Sequence, residues 1–275
     1  MLPLLTNLRY KQFPWMTYSL IAINILVFIC EMSLRDHGTL HGVVRNWTYT
    51  VGKAEIAFAT GYPDLVFHVI TSLFVAMFLH VNFMHLVTNM TFLYALGPAL
   101  EAQLGRAKFL CFYIASGLSA TAYFAYNGEV GAELMGASGA LGGLIGAFLV
   151  FWPRARITVL MGVKVMTSNA VFLLLDFIAL QIAAYWFGLN ISAGSAMNVA
   201  YAAHIGGIAF GVSFAICWRS WQFFKPSQQT AKVLVPPYQR ELYDTILDWL
   251  EAGIAKCWRA TLWLVYLPVR GLSRL

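Results

Sequence analysis

Charge is what this sequence has least of. Only 11% of its 275 residues are Asp, Glu, Lys or Arg while 60% are hydrophobic, a balance that excludes an ordinary soluble domain with its charged surface. Between Asp64 and Glu101 there is no Asp, Glu, Lys or Arg at all. Cysteine is scarce as well: Cys30, Cys111, Cys217 and Cys257 are scattered, show no CxxC spacing, and read as unpaired fillers rather than a disulfide framework. No HExxH string and no internal repeat occurs, and the one polar linker is the short "KPSQQTAK" at 225–232. The first apolar run follows Arg9 and Lys11 and ends without a small-residue cleavage site, so the N-terminus is expected to be retained, with the first span as targeting signal. A net charge of +6 would suggest nucleic acid in a soluble chain. In an apolar one, basic residues collect in cytoplasmic loops and face anionic lipid, so no nucleic-acid partner is expected.

What is present is apolar sequence in span-length pieces. Stretches at roughly 14–30, 80–100, 109–128, 134–152, 165–187 and 200–218 are each of a length that crosses a bilayer. The expected fold is an all-α polytopic membrane protein, a six-transmembrane-helix bundle with a long first outer loop and a cytoplasmic amphipathic C-terminal helix. It divides into a short N-terminus at 1–13, a membrane domain at 14–222 and a tail at 223–275. With the N-terminus inside, the outer loops hold only Arg35, Arg45 and Lys53 of the 18 Lys and Arg. That asymmetry puts both termini in the cytoplasm. The charge-free stretch between Asp64 and Glu101 is longer than one span needs, and its first part, "VFHVITSLFVAMFLH" at 66–80, is expected to lie against the bundle or in the interface before the second span begins. Trp47, Tyr49, Phe58, Tyr62 and Phe67 in the first outer loop favour the membrane–water boundary. In the tail, after Pro236 and Pro237, Leu242, Ile246, Trp249, Leu250 and Cys257 recur at helical spacing while Glu241, Asp244, Asp248 and Glu251 face elsewhere. This helix would lie on the membrane or bind a cytoplasmic partner.

Three stretches carry groups capable of chemistry. In "GASGALGGLIG" at 136–146, Gly139, Gly142, Gly143 and Gly146 form one smooth helical face for close helix approach. Ser138 projects near the same face, at the helix end where backbone N–H groups are free to stabilise an oxyanion. Taken alone, such a serine is more often a cap or a small packing residue. In "AHIGGIAFG" at 203–211, His204 precedes Gly207 by three residues and Gly211 by seven, so imidazole and small face coincide again. An ionisable side chain inside a span needs a partner or a function. Packing the two glycine faces together would bring hydroxyl and imidazole within reach. In "HVNFMHLVTNM" at 80–90, His85 and Asn89 share a helical face, with His80 just before the helix; they could donate to a developing oxyanion or simply bond across helices.

Together these motifs resemble the rhomboid family of intramembrane serine proteases. "HVNFMHLVTNM" is similar to its HxxxxHxxxN motif, "GASGA" to its GxSG motif, and "AHIGGIAFG" to its catalytic-histidine motif with GxxxG, in family order. "TSLF" and "FLYALGPALEAQLGRAKFLCFYIASG", with Glu101 and Gly105, are weaker matches, and the likeness covers roughly residues 65–218. The resemblance implies a serine endopeptidase acting on transmembrane protein substrates in the lipid bilayer, with Ser138 as nucleophile and His204 as general base and acid. It implies an oxyanion hole of the Ser138 N–H, His85 and Asn89, a loop presented by Gly136, and a supporting His80. It requires no cofactor and no metal. A bacterial plasma membrane with the active site toward the outer face suits the charge pattern.

The sequence departs from the family twice. The Trp-Arg pair of the first outer loop is absent from "YPDLVFHVITSLF", and the aromatic residue that many relatives carry four after the serine is Gly142 here. Asp176, in "FLLLDFIALQ", is expected to pair inside the bundle rather than with His204. Trp186 and Phe187 suit an interfacial belt better than a substrate entrance. Two other classes fit parts of the pattern: a non-catalytic rhomboid-like factor that binds membrane proteins, and a metal-dependent hydrolase built on His80, His85 and His204.

Overall fold

The structure is a computed structural model that describes residues 1–36, 47–187, 201–223 and 233–234. The expected C-terminal helix and Cys257 lie outside these residues. The helices are α1 (Trp15–Asp36), α2 (Lys53–Thr60), α3 (Pro63–Val75), α4 (Phe83–Leu104), α5 (Arg106–Asn127), α6 (Ser138–Phe151), α7 (Ala170–Phe187) and α8 (Tyr201–Phe223), with a 3-10 turn at Ala76–Phe78. By length and composition α1, α5, α7 and α8 can each cross a bilayer, and the pair α3–α4, bent by 80° at its break, makes a fifth candidate. The chain is a mostly helical, multi-pass membrane protein.

Burial sorts the helices. In the 14-residue α6, every residue from Gly139 to Phe148 is buried, so it is the central element, apolar on all sides because protein surrounds it. α4, α5, α7 and α8 pack against it. In α7, by contrast, only Ala170, Leu174, Gln181 and Ala184 are buried, and Phe172, Leu175, Leu180, Ile182, Trp186 and Phe187 are exposed. Such a surface belongs against lipid.

Both ends of α1 are held by carboxylates. At its start the Met16 N–H (3.0 Å), the Thr17 N–H (2.7 Å) and the Thr17 hydroxyl (2.8 Å) donate to the buried carboxylate of Glu101, near the end of α4. The first N–H groups of a helix have no partner within it, and an anion there also suits the helix dipole. Toward the other end, the backbone N–H of His80 lies 3.2 Å and 3.3 Å from the two oxygens of buried Glu31. The bend between α3 and α4 is thereby fastened to the first helix.

The expectation of an all-α chain with a fifth span starting at 165 is corrected by strands. Strands β1 (Leu2–Thr6), β5 (Arg156–Met161) and β6 (Lys164–Asn169) form an antiparallel sheet in the order β1-β5-β6. Ile157, Thr158, Val159, Val165 and Thr167 supply the β-branched residues that suit strands. Gly162, at φ 61°, opens the two-residue turn between Met161 and Lys164, where a hairpin favours glycine. α7 begins only at Ala170, whose N–H donates to Ala155 O at 2.6 Å. Two smaller pairs complete the strands: β2 (Arg9–Tyr10) with β7 (Val233–Leu234), and β3 (Tyr49–Thr50) with β4 (Glu133–Leu134).

Candidate active site

Ser138 is the first residue of α6, following a loop that contains Gly136. Gly136 has φ 114°, which only glycine adopts without strain. Its N–H donates to Ala76 O at 2.8 Å, fixing the loop to the 3-10 turn. A methyl group on Gly136 would lie 2.6 Å from His85 Cε1, 3.0 Å from its Nε2 and 3.6 Å from Asn89 Nδ2. The imidazole and amide of α4 therefore gather where the backbone turns into Ser138.

The partner helix comes just as close. A methyl group on Gly142 would stand 2.8 Å from the His204 carbonyl oxygen and 3.2 Å from Ile208 N, and one on Gly207 would overlap the Gly139 carbonyl. Gly146 against Ile208 and Gly211 against Gly143 continue this seam, so α6 and α8 touch backbone to backbone from their first turns. Ser138 and His204 are brought to adjoining turns. Among the described residues no hydrogen bond joins them.

His80 is buried, and both of its ring nitrogens are engaged. Nδ1 lies 3.1 Å from Phe78 O and Nε2 3.0 Å from Asn89 Nδ2. A carbonyl only accepts, so Nδ1 carries the proton and Nε2 accepts from the Asn89 amide. This aims the Asn89 NH2 and leaves its second hydrogen for another acceptor. His85 stacks edge-on to His80 with centroids 5.2 Å apart, and its backbone N–H is capped by Asn82 Oδ1 at 2.8 Å. His85 Nδ1 is buried with no protein partner. With both nitrogens of His80 in use, the triad His80, His85 and His204 is unsuited to holding a metal ion.

Comparison with known proteins gives the family. The family model for the Rhomboid domain matches residues 68–221. The chain belongs to the rhomboid family. It is 24% identical to RHOMBOID-like protein 1 of Arabidopsis thaliana over 88% of this chain and 65% of that one. Identity to Rhomboid-like protease 1 of Toxoplasma gondii is 30%, over 62% of this chain and 55% of that one. Rhomboid protease GlpG of Salmonella choleraesuis is 25% identical over 76% of this chain and 69% of its own. The chain thus spans less than two thirds of the Arabidopsis and Toxoplasma proteins.

Both departures from the rhomboid pattern have structural counterparts. The first loop, lacking the Trp-Arg pair, is tied to the loop preceding Ser138 by the β3–β4 pairing and by the Val51 N–H donating to Ala132 O at 2.9 Å. Trp47 meets His68 edge-on, with centroids 5.0 Å apart. At position 142 the His204 carbonyl leaves no room for any side chain. Support for the His204 ring comes from a residue the sequence reasoning missed: its Nδ1 lies 2.7 Å from Oε1 of Gln181 on α7, a side chain only 9% exposed. Tyr201, one turn earlier, adds an edge-on ring contact at 6.4 Å. The one available signal was a lone amide in an apolar helix. Asp176, expected to pair within the bundle, is instead exposed on α7, because five residues from Gln181 is more than a helical turn and carries it off the buried stripe. Trp186 and Phe187 are exposed at the end of the same helix.

Proposed function

We propose that this rhomboid is an intramembrane serine endopeptidase that hydrolyses peptide bonds in or near transmembrane segments of membrane proteins. The observation that carries the proposal is the glycine seam between α6 and α8, with Ser138 and His204 on its first turns and the His85–Asn89 pair across from Gly136. The names of the matched relatives, two of which are called proteases, support it.

In this mechanism His204 Nε2 takes the Ser138 Oγ proton as Oγ bonds to the scissile carbonyl carbon. The resulting oxyanion accepts hydrogen bonds from the Ser138 N–H, the free hydrogen of the Asn89 amide and the His85 ring. The tetrahedral centre collapses, the C–N bond breaks, and imidazolium returns its proton to the leaving amine. Water then attacks the acyl-serine with His204 again as base, releasing the acid and restoring Ser138. No cofactor or metal enters. Because a substrate helix shields its own peptide bonds, segments weakened by small or helix-breaking residues are preferred.

The same proposal includes six spans, counting α6 as the one surrounded by the others, with a membrane domain at 14–222 between the short N-terminus at 1–13 and the tail at 223–275. Both termini are cytoplasmic, Ser138 opens toward the outer face, and a bacterial plasma membrane is the setting. The charge asymmetry of the loops supports this orientation. The test is cleavage of a single-span substrate together with labelling by a fluorophosphonate. Ser138→Ala is expected to abolish both, and His204→Ala to lower both by at least about 10²-fold. Undiminished cleavage in the two folded variants would sink the serine-dyad mechanism.

A further inference from the structure

We infer that Gln181 is the positioning residue for His204, taking the place that an aromatic side chain at position 142 would otherwise fill. This rests on reading Ser138 and His204 as the catalytic pair. The observation is the 2.7 Å contact between His204 Nδ1 and Gln181 Oε1, made across two helices by the polar side chain on the buried stripe of α7.

The chemistry of that contact selects the tautomer the mechanism needs. An amide oxygen only accepts, so Nδ1 must carry the ring proton. Nε2 is then the bare nitrogen, able to take a proton from a serine hydroxyl. The amide turned the other way would donate to Nδ1 and push the ring proton onto Nε2, the wrong atom for a base. The contact also fixes rotation of the ring about its Cβ–Cγ bond. The edge of Tyr201 limits the same motion from within α8. Position 142 cannot contribute, since a side chain there meets the His204 carbonyl and the Ile208 amide. At the distance α6 and α8 keep in this chain, position 142 has no room for a stacking side chain.

A purely structural amide, one that merely satisfies itself in an apolar helix, would behave differently on substitution. The experiment uses the full chain in detergent, comparing wild type, Gln181→Leu, Gln181→Met and Gln181→Glu, with Ser138→Ala and His204→Ala as references. Thermal unfolding of each establishes that it is folded. The Leu and Met variants are expected to lose about 10- to 100-fold in kcat, part of what a positioned base supplies, with KM changed less than about twofold. Labelling of Ser138 by a fluorophosphonate should slow in proportion. Gln181→Glu keeps an acceptor oxygen and should retain kcat within about fivefold. Wild-type kcat in folded Leu and Met variants would overturn the inference, as would a folded Glu variant as impaired as Leu. Should Ser138→Ala and His204→Ala keep cleaving, the dyad itself fails and takes this role with it; if they are inactive and Gln181→Leu is not, only the role of Gln181 fails.

Discussion

Both nitrogens of His80 are engaged, and Asn89 depends on one of them. If Asn89 donates to the oxyanion, Asn89→Ala should cost about 10²-fold in kcat, as expected for one lost donor. His80→Ala leaves the Asn89 amide in place without its guide, and a smaller loss of about 10-fold is expected; steady-state kinetics on a single-span substrate would measure both. Equal wild-type rates would remove His80 and Asn89 from the site. That Ser138 and His204 share faces with glycines, and His85 a face with Asn89, was legible in sequence because residues three or four apart lie on one side of a helix; the roles proposed for them came from the family motifs. Gln181 was not, since its bond to His204 is set by how α7 leans on α8, and a single glutamine in an apolar helix has no spacing to read. Asp176 drew attention by its charge, yet it occupies the exposed side of the helix whose buried side does the work.

The glycine seam makes a demand on α6 and α8 as whole elements. Gly207→Ala inserts a methyl group into the Gly139 carbonyl, which is backbone and cannot rotate away. The helices must separate, and we expect a loss of about 1–3 kcal/mol in stability, with cleavage reduced because Ser138 and His204 ride on opposite sides of the seam. Thermal unfolding and probe labelling of the same sample would check this; an unchanged melting temperature and labelling rate would mean that the seam is looser than its contacts indicate. Helices α1, α4, α5, α6, α7 and α8 overlap the stretches readable from apolar length, and the glycine faces were readable from their periodicity, whereas the short α2 in the first loop was not. The sheet was not. Val165 and Met166 continue the apolar composition of α7, and a strand buried on few sides differs from a helix start only through its β-branched neighbours and the turn at Gly162.

For the molecule as a whole, the proposed orientation can be tested at two exposed tips. Val130, 83% exposed, lies between α5 and α6, and Val163, 96% exposed, lies in the β5–β6 turn. In intact cells, a membrane-impermeant maleimide should label Val130→Cys, whereas Val163→Cys should react only after permeabilisation. The reverse pattern would invert the topology. Native Cys30, Cys111 and Cys217 are exposed on helix surfaces, so the labelling is done in a background with the native cysteines replaced by serine. The two carboxylate clamps on α1 carry a consequence for how such a chain is born. α1 precedes α4 in the chain, yet the acceptor for its leading amides is Glu101, 84 residues after Thr17, and one donor to its own Glu31 is the His80 N–H, 49 residues later. Until α4 emerges and inserts, the leading amides of α1 lack their carboxylate acceptor and are left to water and headgroups. Biogenesis therefore has a defined closing event, the arrival of the segment from His80 to Glu101. A nascent chain halted before that point should leave α1 loosely associated and open to quality-control proteases.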